Sequence, residues 1–137
     1  MSVRFAVPPE IAFDFLVDPA HRPLWQSSLR RVADVTPATA EVGQTWIDVT
    51  AVGARPRMET TVLERPHRWT ERGRWRFVTA ELTLIVAPVV GGCEVRAEAE
   101  VRGGGPFGAV LTRLAPYAVA GDLKRAARIL SERGAEK

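Results

Sequence analysis

The C-terminal stretch 107–130 limits what this chain can fold into more than any other feature. Phe107, Val110, Leu111, Leu114 and Ala118 recur at helical spacing and form one apolar stripe, which rotates beyond Gly121 to Leu123, Ala126 and Leu130. No other segment is long and periodic enough for a substantial helix, and residues 1–105 read mostly as strands. One long helix and one sheet must bury their apolar faces against each other. The chain therefore reads as a sheet curled around that helix.

The helix has a natural start and an internal interruption. Pro106 suits the first helical position after the Gly103-Gly104-Gly105 breaker. Pro116 removes one backbone hydrogen bond and crowds the carbonyl of Thr112, at a cost of about 3 kcal/mol. A kink, or two helical pieces, is expected between Thr112 and Gly121. The residues there are small: Ala115, Ala118, Ala120 and Gly121. Facing a concave sheet, they would either roof a ligand cavity or allow close helix–sheet contact with no cavity. Arg113, Lys124, Arg125 and Arg128 lie mostly off the first stripe and read as a solvated face.

A chain of 137 residues fits one domain, 1–137, and can bury a core. No run approaches the ~18 apolar residues of a membrane span, and no signal-peptide pattern opens the chain, so a cytoplasmic location is the default. Cys93 is the single cysteine, which excludes an intrachain disulfide; with two histidines it leaves little for a structural zinc site. No metal or cofactor is called for. The net charge of +3 comes from the last 32 residues, which hold six basic and three acidic side chains, because residues 1–105 balance 13 arginines against 13 acids. A nucleic-acid binder should concentrate its basic surface more than this.

Alternating apolar positions and turn residues give seven expected strands: 2–7, 29–36, 45–52, 57–64, 68–72, 75–86 and 93–102. The last is the cleanest, with Cys93, Val95, Ala97, Ala99 and Val101 opposite Glu94, Arg96, Glu98, Glu100 and Arg102. Gly73-Arg74 is expected to turn between strands five and six, and Gly91-Gly92 reads as a hairpin. A short helix follows Pro8-Pro9, with Glu10 in its first turn; Asp18-Pro19 stops it, and 20–25 can add one helical turn. Short links imply an antiparallel meander.

This order, and several local signals, resemble the START-like (SRPBCC) helix-grip superfamily, in particular the small bacterial polyketide cyclase/dehydrase and lipid-transport group. The matching pieces are Val7-Pro8-Pro9-Glu10 leading into Phe13-Asp14-Phe15-Leu16-Val17-Asp18, the Pro23-Leu24-Trp25 turn, and Gly43 before Thr45-Trp46. They continue with Val62-Leu63-Glu64-Arg65-Pro66, Gly91-Gly92 before the last strand, and the terminal helix. Where the family often has threonine after the glycine pair, this chain has Cys93. The resemblance covers essentially the whole chain. It implies an α+β helix-grip fold: a seven-stranded antiparallel sheet wrapped around a long C-terminal helix, with two short helices between strands one and two. It also implies a cavity for a hydrophobic or amphipathic ligand. It does not imply one reaction, and fold does not settle function.

No catalytic motif stands out. Four tryptophans do: Trp25, Trp46, Trp69 and Trp75. Aromatic rings suit a pocket for ring systems or lipid tails, and they equally suit a packed core. Trp46 and Trp69 are expected on the concave face, and Trp25 beneath the first helices. Asp48 shares a face with Trp46, and Glu71 with Trp69. If those faces point inward, both carboxylates stand in apolar surroundings with a raised pKa and could act as acid or base on a carbonyl substrate. The alternative is a solvent-facing position, or pairing with a neighbouring arginine such as Arg57. His21 and His67 lie at element ends and read as surface residues, and no nucleophile triad with Ser27 can be argued. Cys93 reads as a buried small hydrophobe. Arg65, Arg68, Arg72, Arg74 and Arg76 interleave with Trp69 and Trp75, a pattern seen in single-strand binders. Alternation places Arg68 and Arg72 opposite Trp69, which argues against nucleic acid.

The leading expectation is a binding protein for a small hydrophobic or amphipathic molecule such as a lipid, polyketide or quinone. Its cavity residues would be Trp46, Met58, Trp69, Leu82, Leu84, Leu111 and Ala118. The alternatives are a cyclase or dehydratase using Asp48 or Glu71, and a protein-interaction module with a filled core. Stable membrane insertion is not expected, and a monomer and a homodimer both remain open. The concave face of strands four and six is undecided, because both faces carry apolar residues.

Overall fold

The computed structural model describes residues 2–135, excluding the side chains of 107–114, 116–117 and 134–135. Strand β7, Gly92–Arg102, organises the sheet. Its alternation turns Cys93 and Val95 into the core and the charged residues outward. It pairs antiparallel with β1, Ser2–Phe5, on one side and with β6, Val78–Val89, on the other. The remaining strands are β5 Arg68–Trp75, β4 Arg57–Glu64, β3 Thr45–Thr50 and β2 Leu29–Thr36. Together they form one seven-stranded sheet in the order β1-β7-β6-β5-β4-β3-β2, every neighbour antiparallel. Strands β2 to β7 make the expected meander, and β1 closes beside β7.

Between β1 and β2 lie α1, Pro9–Val17, a 3-10 turn over Pro19–His21, and α2, Arg22–Trp25. Pro9, Pro19 and Pro23 each sit in a first turn, where a missing N–H costs nothing. The Asp18 side chain accepts from Ala20 N at 3.0 Å and caps the 3-10 turn. Helix α1 buries Ala12, Phe13, Phe15, Leu16 and Val17. Helix α3, Gly105–Ala135, ends the chain and lies against β7 and β1.

The register settles which residues share the concave face. Trp46 stands beside Met58, Met58 beside Gly73, and Gly73 beside Ala80. One row inward, Thr60 meets Glu71, Glu71 meets Leu82, and Leu82 meets Ala99. Trp69, Leu84 and Ala97 form the next row, and Val86, Val95 and Val3 the one after. So Met58 and Thr60 are the inward residues of β4, and Leu82, Leu84 and Val86 those of β6.

Several expectations need correction. Gly73 is not a turn: β5 continues to Trp75, and Trp75 belongs to β5 rather than β6. The thioether of Met58 lies over Gly73, where a Cβ would come within 2.6 Å of the sulfur. The glycine makes room for a side chain on the neighbouring strand. The turn falls at Arg76-Phe77 instead, with Arg76 at φ 57. Of the two alternatives at Pro116, a kink or two helical pieces, the second does not hold, because α3 runs as one element through it. One lost hydrogen bond leaves intact turns on both sides to hold it. Ala118 and Gly121 are exposed, so neither faces the sheet. The described inward stripe is Ala120, Leu123, Ala126 and Leu130, and the earlier stripe from Phe107 to Leu114, including Leu111, lies outside the described side chains.

Candidate functional site

Apart from the neutral Gln44 and Thr60, the concave face is apolar except at one place, which holds its buried charge. Arg22, Asp48 and Glu71 come together there, 1%, 5% and 4% exposed. Arg22 reaches in from α2, which its two flanking prolines and the Asp18 cap hold in a short helical path. Its Nη2 donates to Glu71 Oε1 at 3.0 Å, and Nη1 pairs with Glu71 Oε2, giving a two-pronged ion pair. Nε and Nη2 both donate to Gln26 Oε1, at 3.2 and 2.8 Å. Asp48 Oδ2 lies 3.8 Å from Nη2.

Two tryptophans wall this cluster. The Arg22 guanidinium lies 5.4 Å from the Trp46 ring centre and 5.6 Å from that of Trp69. Both indoles also place their N–H groups: Trp46 Nε1 donates to Asp48 Oδ1 at 2.9 Å, and Trp69 Nε1 donates to Thr60 Oγ1 at 3.3 Å. Trp46 is thus joined to Asp48 and stacked near the cation that serves both carboxylates.

One cation serves two buried carboxyl groups. Burial pushes the Asp48 carboxyl above its ordinary range, against the pull of Arg22 and of the Trp46 indole. Burial pushes Glu71 upward too, against Arg22. Burial alone would weaken the charge on Arg22, but Glu71 and Asp48 outweigh it and raise the arginine pKa. Glu71 holds the guanidinium in two places, whereas Asp48 touches it only at 3.8 Å. Glu71 therefore has the closer hold on the one cation, and the upward shift of the two carboxyls belongs to the pair.

Burial on the concave face thins toward the end where β7 runs into α3. Cys93 and Val95 are fully buried, while Ala97, Ala99 and Val101 are half-buried, as is Ala80 beside Val101. Met58 and Leu82 keep slight exposure in the same region. Near α2, Trp25 is buried with its indole N–H unpartnered among the described residues.

Of the residues picked out from sequence, the structure gathers Trp46, Trp69, Asp48 and Glu71 around Arg22, and puts Met58, Leu82 and Leu84 on the same face. Ala118 is exposed and not part of that surface, and Leu111 lies outside the described side chains. Arg57 is on the outer face and is not the partner of either carboxylate; Arg22 is. His21 is half-buried, stacked on Phe15 at 4.8 Å between ring centres, and His67 is exposed. Cys93 is buried. Arg22 is the site residue that the sequence reading does not single out; its one local signal is a place in a short segment between Pro19 and Pro23, close to Trp25.

The described residues hold no group of three or more potential metal-ligating side chains, and no described helix is long and apolar enough to cross a membrane. The fold is similar to that of protein MLL2253 from Mesorhizobium loti, with 16% identity, 96% of this chain and 95% of that one covered, and a TM-score of 0.74. It is also similar to XoxI from Bacillus cereus, at 14% identity, 94% and 92% coverage and a TM-score of 0.76. A third similar structure is DynU16, a protein in the dynemicin biosynthetic locus, at 16% identity and a TM-score of 0.69; 96% of this chain spans 46% of that one. Identities this low speak for the fold alone. No curated protein sequence matches the chain. The sequence itself, over residues 1–134, matches the family described as polyketide cyclase / dehydrase and lipid transport, and with its helix-grip sheet and terminal helix the chain belongs to that family.

Proposed function

We propose that the protein binds one small apolar or amphipathic molecule, such as a lipid, a polyketide or a quinone. The molecule lies between the concave face and α3, at the end where Ala80, Ala97, Ala99 and Val101 are incompletely covered. The observation that carries this reading is the Arg22–Glu71–Asp48 cluster in an otherwise apolar face. A buried ion pair of this kind is a poor source of stability compared with well-packed apolar side chains. It does supply a fixed polar end to an apolar site. Asp48, whose carboxyl burial holds above its ordinary range, can accept a hydrogen bond from a ligand hydroxyl and, in its protonated form, donate one to a ligand carbonyl. Met58 and Leu82 would touch the ligand, with Trp46, Trp69 and Leu84 as the layer that backs them. The family and the apolar face support this class of ligand.

The test is native mass spectrometry of the purified protein, followed by organic extraction. A co-purifying lipid or aromatic compound names the chemical class. If the protein emerges ligand-free and also fails to bind a hydrophobic fluorophore, the reading is wrong and the filled-core interaction module takes its place.

The same cluster favours a second reading, an acid–base step on a carbonyl substrate. In its protonated form, Asp48 beside a fixed cation can give its proton to an acceptor carbonyl oxygen as an enol of the same substrate forms the new carbon–carbon bond, and the enol O–H returns a proton to the carboxylate. Asp48→Asn separates the two readings: turnover of a carbonyl substrate would be lost while binding of the ligand is retained.

A further inference from the structure

We infer that the end of the sheet carrying the β3–β4 and β5–β6 turns and the β7–α3 link docks on an anionic lipid membrane. In an antiparallel sheet these three connections fall at the same end. They are neighbours: a Cβ on Gly103, in the link, would overlap the backbone carbonyl of Phe77, in the β5–β6 turn. The segments involved, 50–57, 73–79 and 101–106, contain Arg55, Arg57, Arg74, Arg76 and Arg102 and not one carboxylate.

Apolar side chains project from the same tips. Val52 is 90% exposed and Phe77 is 83% exposed, and Trp75 is exposed beside them. The Arg76 guanidinium stacks over the Trp75 ring at 4.5 Å. Aromatic and aliphatic side chains flanked by arginines are the combination that settles into the headgroup region, rings at the apolar boundary and cations among the phosphates.

The charge is one the fold does not need. Arg57 and Arg74 stand directly opposite each other on the outer face, an arrangement that costs stability. Among the described residues, Arg55, Arg57, Arg74 and Arg76 make no ion pair, and Arg102 alone of the five is held, by Glu100. The nearest outer-face carboxylates, Glu59, Glu81 and Glu100, stand one row further in. The opposite end of the sheet makes the contrast. It exposes Val42 and Val90, but its turns carry Glu41 and Glu64 as well as an Arg65–Asp14 pair, so it lacks a field of one sign. A surface of phosphates supplies the counter-charge that the arginine end lacks. A protein partner would need both an acidic face and pockets for Phe77 and Val52, and nothing in the structure favours one. The docking claim does not require the ligand reading; vesicle binding and fluorophore binding are separate readouts.

The experiment is cosedimentation of the full chain with vesicles of phosphatidylcholine containing about one-third phosphatidylglycerol, beside vesicles of phosphatidylcholine alone. The expected result is binding to the first and little to the second, weakened about fivefold for each of Arg74→Gln and Arg76→Gln. Phe77→Ser is expected to release the protein from the same vesicles, and about 0.5 M salt to weaken binding by screening. These positions are exposed, and cooperative unfolding at the wild-type midpoint shows that each variant is folded; Arg55→Gln on the neighbouring turn is the second variant if one is not. Failure to bind anionic vesicles, or binding that ignores both charge and Phe77, overturns the proposal. So does a concentration-dependent dimer that Phe77→Ser abolishes, because the patch would then belong to a second copy of the chain.

Discussion

Arg22 and Glu71, 49 positions apart in the sequence, form a two-pronged ion pair with almost no solvent contact. The pair joins the turn after α1 to the middle of β5 and fixes α2 across the concave face. Removing its cation leaves Glu71 buried without the partner that it holds at two points. Arg22→Met should therefore destabilise the protein by about 3–5 kcal/mol in urea unfolding. The double variant Arg22→Met/Glu71→Leu should recover a large part of that loss, because no uncompensated charge pair remains. A loss below about 1 kcal/mol for Arg22→Met would mean that the cluster is not buried in solution.

Asp48 makes stability depend on pH in a definite direction. Burial raises its carboxyl in the folded protein, so the fold binds that proton more tightly than the unfolded chain does. Its contribution is complete below the unfolded value of about 4 and is lost as pH rises through the folded value. Measured from about pH 5 to pH 8, the stability of Asp48→Asn should gain relative to wild type as pH increases. A constant difference between the two proteins across that range contradicts a buried Asp48 whose carboxyl is held above its ordinary range.

Two glycines on the sheet should respond differently to a methyl group. At Gly92 a Cβ would overlap the carbonyl of Phe5 on β1, and backbone cannot yield without separating the strands. At Gly73 the obstacle is the flexible end of Met58. Gly92→Ala should cost about 3 kcal/mol or more and Gly73→Ala about 1 kcal/mol, both read from denaturation midpoints. Equal losses would contradict the close approach of β1 to β7.

The strands that could be read from sequence are those where alternation and burial agree. Strand β7 is the clearest, because every second residue is charged, and β2 and β4 begin and end as expected. Strand β5 was harder, since Gly73 resembles a turn signal when its neighbour Met58 cannot be seen. The real turn uses Arg76 in a left-handed conformation, and no glycine marks it. For the site, alternation places Asp48 on the face of Trp46 and Glu71 on that of Trp69, but it leaves open whether those faces point inward; the structure buries both carboxylates. Arg22 was not legible. Its burial depends on partners on β3 and β5, and local sequence carries no trace of a contact 49 positions away. The exposure of Ala118 was hidden for a related reason: the direction of a helix stripe is set by the sheet it meets.

A small apolar or amphipathic molecule on the concave face, as proposed, would lie where Ala99 is half-buried beside Leu82. The most direct measurement is titration of folded protein with N-phenylnaphthylamine, for wild type and for Ala99→Phe, which fills that space without removing the Arg22 cluster. The prediction is saturable binding of about one equivalent to wild type, weakened about tenfold or more in the variant, with both proteins unfolding cooperatively. No saturable binding to wild type, or equal binding to Ala99→Phe, would contradict it.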